Sequence, residues 1–213
     1  MNEAEIRAKR IEPTIYTIGH SNHEIAAFIE LLRQHKITAL GDVRSQPYSR
    51  YVPQYSREPL KIALAKADLA YVFFGKELGA RSNNPACYRQ GKVQYDRLAQ
   101  EPNFVEGLQR VAQGMNHYRI ALMCAEKDPL NCHRALLVTR KLFEAGVPVS
   151  HIHADGSLEN QHAFETRLLA ACKLPEYDMF KGRDEFLAEA YIIQGEHMAY
   201  EDKAMEKHEQ AKN

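Results

Sequence analysis

The chain has 213 residues, 28 basic and 28 acidic side chains, and 45% hydrophobic residues. This length allows one well-buried domain, the composition excludes a fibrous or low-complexity protein, and zero net charge disfavours a broad duplex-binding surface. The stretch at 1–14 is charged and lacks the apolar core of a signal peptide, so we expect a cytoplasmic protein without a membrane span, in which four cysteines stay reduced.

Short apolar runs rich in β-branched and aromatic residues alternate with segments of helical spacing. The predicted strands lie at 14–19, 37–43, 69–74, 118–124 and 147–153. The predicted helices start at 21 or 22 and at 132, and lie near 59–67, 94–100, 103–114 and 158–172. The alternation predicts an α/β fold, namely a doubly wound, mainly parallel five-stranded sheet with helices on both faces.

A C-terminal helical extension follows the break at Pro175. From Asp184 an apolar helical face continues to Ile193, and beyond His197 the residues are nearly all polar or charged. We predict an α/β domain at 1–175 and a helical tail at 176–213 that packs at its start and frays at its end. The tail is also open to interpretation as the arm of a homodimer.

Charge is unevenly distributed along the chain. Residues 43–97 carry 10 Lys or Arg against 4 Asp or Glu, whereas residues 176–213 carry 10 acids against 5 bases. The basic segment indicates an anionic ligand or a solvated basic face.

Polar side chains lie at or just after the end of every predicted strand. They are His20, Ser21, Asn22, Asp42, Arg44, Lys76, Cys124, Glu126, His153 and Asp155. Ligands of open parallel sheets bind outside the carboxyl ends of the strands, where strand order reverses. We therefore expect a functional site that combines several of these residues.

Five motifs together resemble those of the DUF488 family, a group of bacterial and archaeal proteins without an agreed biochemical function. The motifs are TIGHSN at 17–22, GDVRSQPYSR at 41–50, LG at 78–79, CAEKDPLNCHR at 124–134 and HIHADG at 151–156. The resemblance covers about residues 14–156 and implies an α/β domain without supplying a reaction. It implies a site that includes His20, Asp42, Arg44, Cys124, Glu126, Cys132, His133 and Arg134.

The loop between Cys124 and Cys132 suggests an activated thiol. If a helix begins near Cys132, free backbone N–H groups, the helix dipole, Arg134 and a protonated His133 all favour a thiolate there. The same helix start, with the fork of Arg134, also favours an anion.

A metal centre would use the same atoms, with Cys124, Cys132, His133 and His20 as ligands. Their spacing is unlike that of a zinc finger, and adjacent residues on a helix point about 100° apart, so no metal or other cofactor is required by the sequence. A redox pair and a buried structural Cys124 are further alternatives.

Two further groups contribute candidates. Asp42 lies on the same side of its strand as Arg44, so it can pair with that arginine or orient a histidine. Three tyrosines are interleaved with arginines after the second strand and could stack on a nucleotide or a single strand of nucleic acid. These residues are Arg44, Tyr48, Arg50, Tyr51, Tyr55 and Arg57.

We derive two main functional hypotheses. The first is an enzyme for a small or nucleotide-like anion, with Cys132 or Glu126 as nucleophile and His20 or His133 as acid or base. Candidate binding residues are Arg44, Arg134, Ser21, Asn22, Tyr48, Lys76, His153 and Asp155. The second is a nucleotide or single-stranded nucleic-acid binding module without catalysis, and a metal-binding protein is a third.

Overall fold

The computed structural model describes residues 13–210 and contains eight strands in that range. They are β1 (Ile15–Gly19), β2 (Ala39–Asp42), β3 (Ala70–Phe73), β4 (Tyr88–Arg89), β5 (Lys92–Val93), β6 (Ile120–Cys124), β7 (Val149–Ile152) and β8 (Leu158–Asn160). Residues 1–12 and 211–213 lie outside the described residues. The start of the predicted α/β domain, the end of the predicted tail and the segment predicted not to be a signal peptide fall on them.

The central sheet has the order β3-β2-β6-β1-β7-β8, while β4 and β5 form a separate hairpin. Five of its strands are parallel, and these are the five predicted ones. The sixth, β8, is antiparallel to β7 and was not predicted. It has three residues and no β-branched side chain, and it falls where a helix was expected to begin, so the local pattern gave no strand signal.

Eight α-helices accompany the sheet within the described residues. They are α1 (Ile25–Gln34), α2 (Arg57–Ala65), α3 (Tyr95–Leu98), α4 (Pro102–Gly114), α5 (Arg140–Glu144), α6 (Gln161–Ala171), α7 (Arg183–Met198) and α8 (Lys203–Gln210). A π-helix, Arg134–Thr139, leads directly into α5.

Both faces of the sheet are covered, which explains why its strands are continuous apolar runs. On one face Ile18 packs with α1 and α2 through residues such as Phe28 and Leu60. On the other, Leu122 packs with α4 and with the helix that contains α5, through residues such as Phe104. The predicted doubly wound, mainly parallel α/β fold is confirmed.

Strand order reverses between β1 and β6. From β1 the chain crosses to β2 on one side, whereas from β6 it crosses to β7 on the other side. The neighbouring carboxyl ends of β1 and β6 therefore form the switch point at which ligands of such sheets bind.

The C-terminal segment returns to the domain. The buried side chains Phe186, Leu187 and Tyr191 of α7 pack with the apolar face of α6. After α7, the carbonyl of Tyr200 accepts a hydrogen bond from the Val93 amide (3.0 Å), which holds the segment 199–202 against the hairpin. The homodimer arm stays a prediction. Within residues 13–210 we find no helix with the length and apolar character needed to cross a bilayer.

Candidate functional site

The candidate site lies at the switch point between β1 and β6. The His20 amide donates to the Cys124 carbonyl (3.0 Å) and the Ser21 amide donates to the Ala125 carbonyl (2.9 Å), so the segments after the two strands are held together. A cleft of about 360 Å³ opens beside them. Its wall includes Arg44, Arg81, Cys124, Glu126, His133 and Tyr200.

Two thiols and one imidazole form a buried cluster beneath the cleft. The Sγ atoms of Cys124 and Cys132 and a ring nitrogen of His133 all lie within 4.8 Å of one another. His133 Nδ1 is 3.7 Å from Cys124 Sγ, and its Nε2 is 3.1 Å from the Val43 carbonyl oxygen. Since a carbonyl only accepts, Nε2 carries the proton in the neutral ring, and the lone pair of Nδ1 faces the thiols.

The backbone conformation at Cys132 allows the side chains of Cys132 and His133, which are adjacent in sequence, to reach the same cluster. Cys132 is extended (φ −143°, ψ 133°), and the helix starts only at His133. The expectation that Cys132 lies inside the first helical turn, about 100° from His133, was therefore wrong. Instead Cys132 precedes the helix, its Sγ accepts a hydrogen bond from the Arg134 amide (3.4 Å), and both side chains reach the same cluster.

Glu126 lies beside the cluster and faces the cleft. Its Oε2 is 2.9 Å from Cys132 Sγ. Glu126 is partly exposed and lines the cleft, whereas Cys132 is 1% exposed and does not line it. The predicted nucleophile Cys132 is thus the less accessible of the two.

The close packing of these groups shifts their pKa values. A hydrogen bond with Cys132, and then burial, raise the pKa of Cys124 well above 9.0. Burial opposes ionisation of Cys132, but the hydrogen bond from Cys124 and the charge of Arg134 outweigh it and lower the pKa of Cys132 well below 9.0. Burial and then Cys132 raise the pKa of Glu126. The last ionisable group of the cluster, His133, has its pKa lowered by burial but raised on balance by Cys132.

Arg134 shapes the loop rather than the cleft. Its side chain is fully buried, and it donates to the carbonyl oxygens of Glu126 (2.7 Å) and Lys127 (3.3 Å). The arginine predicted to bind an anion is therefore used to hold the backbone of the segment that carries Glu126.

His20, Asp42 and Arg44 form a second buried group. Arg44 makes two hydrogen bonds to the Asp42 carboxylate, from Nε (2.9 Å) and from Nη2 (2.7 Å). Nη1 of Arg44 is 3.1 Å from His20 Nε2, and His20 Nδ1 is 2.8 Å from the Ser21 carbonyl oxygen. Burial, followed by the Arg44 charge, lowers the pKa of His20 to about 4. Both ring nitrogens of this neutral histidine are occupied, and the structure does not bring His20 into the thiol cluster as the expected fourth ligand.

The predicted platform of three tyrosines is divided. Tyr55 is fully buried, stacks on the His20 ring with centroids 4.2 Å apart, and donates its hydroxyl to the His23 carbonyl (3.0 Å). Tyr48 and Tyr51 are 71% and 94% exposed. A continuous stacking surface formed by all three is excluded by the burial of Tyr55.

Five other predicted residues do not line the cleft. They are Ser21, Asn22, Lys76, His153 and Asp155. His153 pairs with Glu159 (3.2 Å), and Asp155 accepts a hydrogen bond from the amide of Ser157 (2.9 Å) in the turn before β8. These two strand-end residues have local structural partners.

Several residues of the cleft wall are not among the predicted site residues. They are Arg81, Tyr95, Asn131, Met198 and Tyr200. Arg81 could have been found, because it follows the LG motif within the basic segment. Tyr200 reaches the cleft only through long-range pairing of its segment with the hairpin, which no local pattern encodes.

The fold and the site together define a class: an α/β protein with a mainly parallel sheet and a buried thiol and imidazole cluster at its switch point. The family model described as "Domain of unknown function DUF488" matches residues 24–140, more than half of the chain, and the chain belongs to this family. The match includes both cluster cysteines and His133, but not His20. No curated protein and no solved structure matches the chain.

Proposed function

We propose that the protein is an enzyme that acts on a small anionic substrate in the cleft above Cys124, Glu126 and His133. One observation carries the proposal: a cleft of about 360 Å³ opens at the sheet's switch point and has these three groups in its wall. Small-molecule sites have about 300–1,000 Å³ and favour such positions. A carboxylate, an imidazole and a thiol that converge on one cleft support catalysis rather than binding alone.

Arg81 supports binding of the anion. Its guanidinium lies 4.0 Å from the centroid of the Tyr200 ring, and it forms no ion pair with any side chain in the part of the chain that the structure describes. The charge of Arg44, in contrast, is matched by Asp42 at 2.7 Å. Arg81 therefore takes the role that the sequence suggested for Arg44 and Arg134.

Glu126 is the proton carrier in this proposal. It is the one carboxylate in the described wall of the cleft, and it contacts the thiol cluster directly. The other predicted acid or base, His20, uses one ring nitrogen on a carbonyl and the other on Arg44, so we assign it to positioning Arg44.

A nucleic-acid binding module without catalysis has weaker support. Tyr48 and Tyr51, with the exposed Arg50 between them, offer a small stacking surface, but Tyr55 and Arg44 are buried and have internal partners. Such a module would show salt-sensitive binding that a Tyr51→Ala change weakens and a Glu126→Gln change does not.

A screen of small phosphate-bearing and carboxylate-bearing compounds, nucleotides included, tests the enzyme proposal. With an active compound in hand, Glu126→Gln should lower kcat by about 10²–10⁴-fold. Arg81→Gln should raise KM by about 10–100-fold, because a charged hydrogen bond is lost. Arg89→Gln, an exposed arginine paired with Glu196 outside the cleft wall, is the matched control and should leave both constants unchanged. Full activity of Glu126→Gln would remove the proposal.

A further inference from the structure

We propose that Cys124 Sγ, Cys132 Sγ and His133 Nδ1 bind one soft divalent cation of the zinc class, with a fourth coordination position open to the cleft. The inference rests on the proposed function and deepens it, because it names what the reactive centre holds and assigns the reaction to hydrolysis.

The donor atoms have the spacing that such an ion needs. For tetrahedral zinc, bonds of about 2.3 Å to sulfur and 2.0–2.1 Å to nitrogen give a sulfur–nitrogen separation of about 3.6 Å. Cys124 Sγ and His133 Nδ1 are 3.7 Å apart, and the whole group of three lies within 4.8 Å. Thiolate and imidazole are the ligand types that a zinc-class ion prefers.

The histidine is oriented as a metal ligand. A ligating imidazole normally donates its second N–H to a carbonyl or carboxylate, which fixes the ring and its tautomer. His133 Nε2 is 3.1 Å from the Val43 carbonyl oxygen, so Nδ1 is left with a lone pair that faces the two sulfur atoms.

Three protein ligands with a fourth position open are the pattern of catalytic zinc rather than structural zinc. Cys124 and His133 form part of the cleft wall, so an ion between them faces the space where a substrate would lie. Cys132 lies behind them, 1% exposed, which suits a ligand better than a free nucleophile. Glu126 is not one of the three converging ligands. Its carboxylate nevertheless lies next to them, 2.9 Å from Cys132 Sγ.

This arrangement supports hydrolysis by a bound water. The water's oxygen binds the ion, and one of its O–H bonds breaks as the proton passes to the Glu126 carboxylate. The hydroxide forms a bond to the electrophilic atom of the anionic substrate, the bond to the leaving group breaks, and the leaving group departs with the proton held by Glu126. One water is consumed, and nothing is oxidised or reduced.

Metal analysis tests the inference directly. The full chain, purified without a histidine tag or chelator and then incubated with zinc and desalted, should retain about one zinc per chain. Cys124→Ser and Cys132→Ser should each lose most of this metal. The partly buried Cys172 provides the matched control, since Cys172→Ser should retain it. Glu126→Gln should also retain it, because Glu126 is not a ligand.

Cobalt replacement keeps the test independent of whether the variants fold. Wild-type protein loaded with Co²⁺ should show a thiolate-to-cobalt charge-transfer band in the near ultraviolet, and this band should persist in Cys172→Ser. Substoichiometric zinc together with no such band in the wild type would overturn the metal site. A compound turned over equally by chelator-treated, metal-free protein would overturn the assignment of the reaction to metal-assisted hydrolysis but keep the proposed enzyme. Stoichiometric metal without turnover of any compound in the screen would uphold the metal site and count against the enzyme.

Discussion

The carbonyl oxygen of Glu126 lies directly against Gly19, where a Cβ atom on residue 19 would be only 1.9 Å from it. Gly19 ends β1 and Glu126 follows β6, so this approach closes the switch point and sets the height of the Glu126 segment above the sheet. No residue other than glycine allows it.

Gly19→Ala should therefore destabilise the protein. Replacing glycine by alanine at a permissive site stabilises by about 0.4–1 kcal/mol, but here the collision with backbone reverses the sign and should cost about 1–3 kcal/mol. Urea denaturation measures the difference. The control is Gly114→Ala in α4, whose Cβ would meet only the tip of Ile120 at 3.1 Å and which should be neutral or stabilising. Equal effects of the two changes would contradict the close-approach argument.

The loop before Cys132 depends on Asp128. The Asp128 carboxylate accepts a hydrogen bond from the Leu130 amide (2.9 Å) and two from Arg167 (2.9 Å each). Asp128→Ala should cost about 1 kcal/mol and speed amide hydrogen exchange at residues 130–132, which mass spectrometry can follow. Asp178→Ala removes a similar turn acceptor, for the amide of Phe180, and should leave exchange at 130–132 unchanged. Unchanged exchange in Asp128→Ala would show that other contacts hold the loop.

The positions of the parallel strands, and the polar side chains at their ends, were predictable because both depend on local sequence. Short apolar runs mark the five parallel strands, and the end of β6 and the residues after it supply Cys124 and Glu126. The site's three-dimensional details depend on other causes. One extended residue, Cys132, decides that two neighbouring side chains share a cluster. Hydrogen bonds across the loop that follows β6 hold the buried Arg134, and a long-range hydrogen bond to the hairpin brings Tyr200 to the cleft. Such torsions and contacts leave no periodic signal in the sequence.

Substitution in the buried pair of Asp42 and Arg44 should lower the free energy of unfolding strongly. Asp42 is fully buried and Arg44 is 6% exposed, so Asp42→Asn leaves a buried guanidinium without its counter-charge. We expect a loss of about 3–5 kcal/mol in the free energy of unfolding, measured by urea denaturation. Glu189→Gln, which breaks the exposed pair with Lys181, is the comparison and should cost about 0–1 kcal/mol. A loss in Asp42→Asn as small as in the exposed pair would show that Arg44 is compensated by other contacts.

His151 should make the fold sensitive to acid. It is fully buried between Thr17 and Gln161, and burial, followed by the Arg134 charge, lowers its pKa from 6.5 to about 3. The folded state disfavours protonation of His151. The contribution of neutral His151 to the free energy of unfolding is therefore fully present above pH 6.5, and it falls by about 1.4 kcal/mol per pH unit as pH drops toward 3. Urea denaturation between pH 7 and 4 should show this slope, and His151→Gln should reduce it by nearly one proton. The same change at the exposed His117 should leave it intact. A wild-type slope retained in His151→Gln would assign the acid sensitivity to other groups.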